Sequence, residues 1–242
     1  MTRRAHDPPY GTVAFDCDST LSQIEGIDEL TSGNSEIAAL TAAAMEGRVP
    51  IEGVYGQRLA ILRPTRGAVE GIGAAYVEAL VPGVREVVAA LRALGKRVAV
   101  VSGGLLPPVL HLARDLGIDP TLVRAVDLFF DADGEYAGFD DTSPLARARG
   151  KIDVLRELCP DGDVAFAGDG ATDLEALEAC ARFVAFGGVV KRPGIAEGAD
   201  RAVDAPDFTA LLPHLLAPDE LDRLAAIDGF ERVAARAREV RA

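Results

Sequence analysis

Acidic, hydroxyl and glycine residues follow three apolar segments of the sequence, at the points where buried strands would end. In an open sheet of parallel strands, ligands bind beyond the carboxyl ends of the strands. We therefore expect these residues to meet in one crevice, although they are distant in sequence. The three groups are Asp16-Cys17-Asp18 after residues 13–15, Ser102-Gly103-Gly104 after residues 98–101, and Gly168-Asp169-Gly170 after residues 164–167.

The residue types in this crevice suit the transfer of a phosphoryl group. Asp16 and Asp169 would offer hard oxygen ligands and leave room for water and phosphate, an arrangement that favours Mg²⁺. Lys151, at the start of a predicted helix, adds a compact positive charge. Ser102 and the amides of the two glycines after it, which we expect to open a helix, can donate to phosphoryl oxygens. A carboxylate nucleophile, a metal, a cation and oriented donors are the minimum for this chemistry.

Alternating strands and helices would hold these residues in place. Four apolar runs are typical of buried parallel strands, and segments with helical periodicity flank them. This alternation predicts an α/β fold with a doubly wound, mostly parallel sheet. The runs are 13–15, 98–101, 164–167 and 183–186, and the predicted crossover helices are 84–94, 105–116, 152–158 and 171–180.

The stretch between residues 25 and 80 interrupts the alternation. It contains helical patterns near 36–45, 51–62 and 66–79 and no strand pattern. Several helices within one crossover indicate an insertion. We therefore predict a helical cap domain at 23–80 and a discontinuous core domain at 1–22 and 81–242.

Two further patterns lie in the second half of the chain. Residues 128–139 alternate around Asp133-Gly134, which predicts a β-hairpin. The segment after Pro218 runs from acidic to basic and resembles a surface helix, for which we predict no function.

Composition and charge exclude several classes of function. The formal net charge of −13 argues against nucleic-acid binding, which requires clustered Lys and Arg. No apolar run is long enough to span a membrane, and the first residues lack the apolar segment of a signal peptide. The three cysteines have no metal-ligand spacing and are typical of reduced thiols. We therefore expect a cytoplasmic protein whose partner is a small molecule, in an oligomeric state that the sequence leaves open.

Four blocks of the sequence, in order along the chain, resemble the four motifs of the haloacid dehalogenase superfamily. The blocks are DCDST at 16–20, VSGG at 101–104, Lys151, and GDGATD at 168–173. The resemblance implies the Rossmann-like core of that superfamily and catalysis through an aspartyl-phosphate.

The resemblance also implies a role for each residue of the phosphoryl site. Asp16 would be the nucleophile, and Asp18 the general acid for the leaving oxygen and later the base for water. Thr20 and Ser102 would bind or orient phosphoryl oxygens. Lys151 would balance the negative charge of the nucleophile and the phosphate.

A Mg²⁺ cofactor is implied by the same resemblance. Its ligands would be one carboxylate oxygen of Asp16, the backbone carbonyl of Asp18, Asp169 and water. Asp173 would support the metal, either by binding it directly or by contacting the residues that bind it.

Segments between the four motifs resemble phosphoserine phosphatases, a family within that superfamily. These segments are IEGIDEL at 24–30, AAAMEGRVPI at 42–51, RLAIL at 58–62, GEYAGFDDT at 134–142 and FGG at 186–188. The resemblance implies hydrolysis of O-phospho-L-serine to serine and phosphate, the last step of serine biosynthesis.

Substrate choice would then belong to the cap. Glu25 matches the residue that holds the ammonium group, and Arg58 the residue that clamps the carboxylate. Met45 and Ile51 would line the apolar wall, and Ile51 stands where the family carries an aromatic residue. Arg66 is a second candidate for the carboxylate. The phosphate end would be held by Gly103, together with the hydroxyl groups named above.

Other functions fit parts of the pattern. The same chemistry could act on a different small phosphomonoester, or pass the phosphoryl group to another small hydroxyl acceptor. A receiver-like signalling module also places acids, a hydroxyl and a lysine around Mg²⁺, but the helical insertion argues against it. So does Asp18, which supplies an acid and a base for turnover. A non-catalytic binding module would require a broken motif, and all four are intact.

Overall fold

A single parallel sheet forms the centre of the molecule. The structure, a computed structural model, describes residues 6–31, 39, 43 and 51–241, with the backbone alone at 51–54, 240 and 241. Its six strands lie in the order β3-β2-β1-β6-β7-β8, and every pairing is parallel, which confirms the predicted α/β fold. The strands are β1 Thr12–Phe15, β2 Arg97–Leu105, β3 Val123–Val126, β6 Val164–Gly168, β7 Arg182–Phe186 and β8 Arg201–Val203.

Helices cover both faces of the sheet, which explains why the central strands are apolar runs. All residues of β1, β6 and β7 are buried, as expected for parallel strands with helices on each side. The predicted helix at 171–180 is wrong in length, because it ends at Glu175 and a 3₁₀ turn at Ala176–Glu178 follows. The core helices are α4 Val84–Ala93, α5 Leu106–Asp115, α6 Gly150–Leu158, α7 Ala171–Glu175, α8 Ile195–Gly198 and α9 Leu212–Leu215.

Within the described residues, three helices with printed bounds lie between β1 and α4, in the predicted cap. They are α1 Gly26–Glu29, α2 Ile51–Leu62 and α3 Arg66–Glu78. The predictions of α2 and α3 are confirmed, whereas the helix predicted near 36–45 lies outside the described residues. Ser22 and Leu80 form an isolated antiparallel bridge, and Val81 N donates to Leu21 O at 3.0 Å. The two predicted boundaries of the cap therefore lie side by side, and the division into two domains stays a prediction.

The predicted hairpin is confirmed as β4 Leu128–Phe130 paired with β5 Tyr136–Phe139. Gly134 at its turn has a φ of +83°, a conformation that favours glycine. The hairpin packs against α2, where the rings of Phe139 and Tyr55 lie 5.4 Å apart between centroids. It therefore supports a helix that carries predicted substrate residues.

The prediction of one surface helix after Pro218 is wrong. Two helices, α10 Pro218–Ala225 and α11 Glu231–Arg241, bury apolar side chains against the core. Lys96 and Glu220 form an ion pair of 2.6 Å with side chains only 4% and 7% exposed. The burial of these two charges could not be predicted from the sequence, because each is compensated by a partner far along the chain. No helix in the described part of the chain is long and apolar enough to cross a membrane.

Candidate active site

Asp16 and Asp18 lie where β1 ends, between the neighbouring strands β2 and β6. Asp16 N donates to Ala167 O at 3.0 Å, so the sheet pairing fixes the backbone of the first acid. Both side chains are buried, with Asp16 4% and Asp18 7% exposed, and both line one cavity. Carboxylates at such positions require compensation by a cation or by hydrogen bonds.

Lys151 provides part of that compensation. Its Nζ lies 3.0 Å from Asp16 Oδ1 and 2.5 Å from Asp173 Oδ1, and its side chain is buried. Burial alone would lower the pKa of Lys151, but the two carboxylates together raise it, so the ammonium group stays charged. Gly150 lets α6 begin at this place, since a Cβ there would lie 1.7 Å from Pro144 O.

Asp169 and Asp173 complete a cluster of three acids with Asp16. One carboxylate oxygen from each residue lies within 4.8 Å of the others. Gly168 allows this approach, because a Cβ there would lie 2.3 Å from Asp173 Cγ. Burial and then the charge of Asp16 raise the pKa of Asp173 to about 6. Burial and then the charge of Asp173 raise the pKa of Asp169 well above its usual range.

This cluster has the donor set of a hard divalent cation. Asp16 Oδ1 is buried and makes no hydrogen bond of good geometry to the described residues, although Lys151 lies within ion-pair distance of it. Three carboxylates outnumber the buried ammonium group, so a bound cation would offset their mutual repulsion. The residues present therefore fit a metal ion at this position.

Asp18 is held by two donors from the predicted cap. Gly26 N donates to Asp18 Oδ1 at 2.7 Å, and the Tyr76 hydroxyl donates to the same oxygen at 2.5 Å. Burial, followed by the charges of Glu25 and Asp16, raises the pKa of Asp18 to about 7. A carboxyl group with this pKa can hold or release a proton near neutral pH.

Ser102 and the two glycines after it line the same cavity, but not at the start of a helix as predicted. They belong to β2, which continues to Leu105 through a shift in register after Val101, and α5 begins only at Leu106. Ser102 Oγ accepts from Gly104 N at 3.0 Å. The prediction of a helix opening is therefore wrong, while the placement of Ser102 and Gly103 beside Asp16 is as expected.

The hydroxyl of Thr20 points to the acid cluster. Its Oγ1 donates to Asp169 Oδ1 at 3.2 Å, and the residue is completely buried. Its predicted contact with a phosphoryl oxygen stays a prediction.

Glu25 and Arg58 reach the cavity from the predicted cap. Glu25 Oε1 accepts from Ser19 Oγ at 2.6 Å and from Arg192 at 2.8 Å. Arg58 is 6% exposed, and its Nε makes no hydrogen bond to the described residues. Burial lowers the pKa of Arg58 from the usual arginine value, against the opposing charge of Asp28. Arg58 therefore lines the cavity with a buried Nε that the described residues leave without an acceptor.

Three predicted substrate residues are not brought to this cavity by the described structure. Met45 lies outside the described residues, as does the side chain of Ile51. Arg66 is exposed and packs over the ring of Phe130, 5.0 Å from the centroid, and it does not line the cavity. Arg58 is thus the better placed of the two arginines.

Three site residues were missed by the reasoning from sequence. Arg192 connects the acid cluster with Glu25. Its Nε donates to Asp169 Oδ2 at 2.7 Å, and its Nη2 donates to Glu25. Its position in the loop after β7 could have identified it, because ligands bind beyond the carboxyl ends of such strands. Tyr55 and Tyr76 carry no comparable pattern in the sequence.

Comparison with known proteins defines the class of enzyme. The sequence model of the haloacid dehalogenase-like hydrolases matches residues 10–181. The chain belongs to this family of hydrolases. Membership favours catalysis over a receiver-like module or a binding module, and it agrees with a site of buried aspartates.

Individual relatives share one activity by name. A phosphoserine phosphatase from Bos taurus is 40% identical over 209 residues, which cover 84% of this chain and 92% of the relative. The phosphoserine phosphatase from Homo sapiens is 39% identical over the same length and coverage. A solved structure described as a substrate-bound phosphoserine phosphatase complex has a TM-score of 0.75 at 25% identity, and covers 86% of this chain and 100% of its own.

Proposed function

We propose that this chain is a phosphoserine phosphatase that hydrolyses O-phospho-L-serine with the help of Mg²⁺. One observation carries the proposal: a single cavity is lined both by Asp16, Asp18 and Lys151 and by Glu25 and Arg58. The first group suits a phosphoryl group, and the second has the opposite charges that a zwitterionic amino acid requires. The named activity of the relatives supports the same conclusion.

In the first half of the reaction, a carboxylate oxygen of Asp16 attacks phosphorus and the bond between phosphorus and the serine oxygen breaks. Asp18 gives its proton to that serine oxygen as serine leaves. Lys151, 3.0 Å from Asp16, offsets the negative charge that gathers between nucleophile and phosphate.

In the second half, water attacks the phosphorus of the aspartyl-phosphate on Asp16. Asp18 takes the proton of this water, phosphate leaves and the free Asp16 carboxylate is restored. The two bonds from Gly26 and Tyr76 keep Asp18 directed at the reacting atoms in both halves.

The acid cluster would hold the metal. Asp16 and Asp169 would offer carboxylate oxygens, and the backbone carbonyl of Asp18 follows the same strand as Asp16. Asp173, the third acid of the cluster, also pairs with Lys151. A bound Mg²⁺ supplies positive charge that polarises the phosphoryl oxygens and makes phosphorus easier to attack. Oxygen ligands throughout favour Mg²⁺ over a softer metal.

Glu25 would bind the ammonium group of the substrate, and Arg58 its carboxylate. Met45 and Ile51 would line the apolar side of the pocket, while Thr20, Ser102 and Gly103 hold phosphoryl oxygens. The enzyme would then complete serine biosynthesis in the cytoplasm.

Release of phosphate from a panel of small phosphomonoesters tests this function. We expect the highest kcat/KM for phosphoserine, far lower values for sugar phosphates and phenyl phosphate, and loss of activity in EDTA that Mg²⁺ restores. A preference for sugar phosphates would reject phosphoserine as substrate and leave the mechanism intact. Transfer of phosphate to added small alcohols in place of water would identify a phosphotransferase.

A further inference from the structure

Tyr55 has a buried hydroxyl group at the wall of the candidate active site. The residue is 2% exposed, and its hydroxyl makes no hydrogen bond to the described residues. Leaving such a group unpaired is unfavourable, because it loses its hydrogen bonds to water and gains none in return. The side chain lines the cavity that also contains Asp18, Glu25 and Arg58. An unpaired donor at the wall of a ligand cavity indicates that the ligand supplies its partner.

A second buried donor, on Arg58, lies beside it. Tyr55 and Arg58 are three positions apart on α2, and side chains with this spacing share one face of a helix. Arg58 Nε is likewise buried without a hydrogen bond to the described residues. Two adjacent donors that face one cavity match a planar group with two acceptor oxygens, such as a carboxylate.

Packing, and not hydrogen bonding, fixes the position of the Tyr55 ring. The ring of Phe139 contacts it at a centroid distance of 5.4 Å and an angle of 53°. Burial raises the pKa of Tyr55, so the phenol remains protonated and able to donate. The ring, which lines the cavity, is therefore held in place in advance of any ligand.

The neighbours of Tyr55 decide which part of the substrate it meets. The positive charge of Arg58 keeps an ammonium group away from this wall and attracts an anion. The phosphoryl group belongs at Asp16 and Lys151, which form an ion pair of their own in the lining of the cavity. The remaining anionic group of phosphoserine is its carboxylate.

We propose that the Tyr55 hydroxyl donates a hydrogen bond to the carboxylate of phosphoserine, beside Arg58, and so determines specificity. This inference rests on the proposed function, because it requires that the substrate carries a carboxylate. Tyr55 thereby makes the enzyme select amino-acid phosphates over esters that have only an amine and a phosphate.

The test compares Tyr55→Phe with the wild type on two substrates. Phosphoserine and phosphoethanolamine share the phosphate and the ammonium group, but only phosphoserine has a carboxylate. A hydrogen bond to a charged group stabilises by about 1.5–3 kcal/mol, so the preference for phosphoserine in kcat/KM should fall about tenfold or more. Tyr136→Phe, which removes a phenol hydroxyl from the hairpin outside the cavity, should leave the preference unchanged.

Thermal unfolding of the free protein adds a second readout. Because the hydroxyl of Tyr55 has no partner in the described structure, Tyr55→Phe should unfold at the same temperature as the wild type or higher. A clearly lower Tm would show that the hydroxyl is already paired in the free protein, and would overturn the inference.

The outcomes separate the two proposals. A wild type that does not prefer phosphoserine over phosphoethanolamine refutes the proposed function, and the carboxylate contact with it. A wild-type preference that Tyr55→Phe retains in full refutes the role of Tyr55 alone. An equal loss on both substrates would assign Tyr55 to the phosphate or the ammonium group, and would also refute the contact.

Discussion

Addition of Mg²⁺ to the metal-free protein should raise its Tm, because the acid cluster repels itself until a cation binds. Two unit charges 4.8 Å apart repel by about 3.5 kcal/mol at an effective dielectric constant of about 20, and the cluster contains three such pairs. Lys151 contacts two of the three acids, Asp16 and Asp173, and Arg192 pairs with the third, Asp169. The repulsion is therefore only partly offset within the protein.

Mass action gives the size of the effect. At a Mg²⁺ concentration 100 times the Kd, binding to the folded state stabilises by about 2.7 kcal/mol. For a chain of this length, Tm changes by about 2–4 °C per kcal/mol, so the expected rise is about 5–11 °C. EDTA should reverse it completely.

A pair of matched variants locates the effect. Asp169→Asn removes one carboxylate of the cluster, and its Tm should respond to Mg²⁺ by less than half of the wild-type shift. Asp204→Asn removes an exposed carboxylate that pairs with Lys191, and its response should equal that of the wild type. Differential scanning fluorimetry with a Mg²⁺ titration measures both. An Asp169→Asn protein that is stabilised as strongly as the wild type would refute a metal site at the cluster.

Three further predictions concern catalysis and stability. Asp16→Asn should reduce phosphate release to below about 1% of wild type, since an amide is a poor nucleophile, and a retained rate above a few per cent would exclude Asp16 from that role. Arg58→Ala should raise KM for phosphoserine by about 30-fold or more while KM for phenyl phosphate stays within about twofold, and equal increases would argue against a carboxylate clamp. Lys96→Ala should destabilise the fold by about 3–5 kcal/mol in urea unfolding, because Glu220 becomes a buried lone charge. The double variant Lys96→Met with Glu220→Leu should recover most of that loss, and failure to recover would show that the pair has another role.

The central strands could be predicted from sequence because burial on both faces leaves a plain apolar run. The edge strands β3 and β8 could not, since Val123–Val126 and Arg201–Val203 are partly exposed and each contains an arginine. Their pairing depends on the neighbouring strand more than on their own composition.

The acids of the site were predictable for a related reason. Asp16, Asp18 and Asp169 stand directly after apolar runs, where the topology of a parallel sheet brings side chains together. Tyr55 reaches the cavity from α2 and Tyr76 reaches Asp18 from α3, and both contacts depend on how these helices pack over the sheet. No short-range pattern contains that information.

The hydrogen bonds to Asp18 make proton transfer depend on the position of the predicted cap. Both donors, Gly26 N and the Tyr76 hydroxyl, lie between Ser22 and Leu80, where the chain leaves the sheet and returns to it. If the cap swung outward about the paired residues Ser22 and Leu80, Asp18 would lose both hydrogen bonds in one movement. With the predicted cap in the outward position the enzyme would be inefficient towards water, and it would become reactive only when the cap had closed over a bound ester.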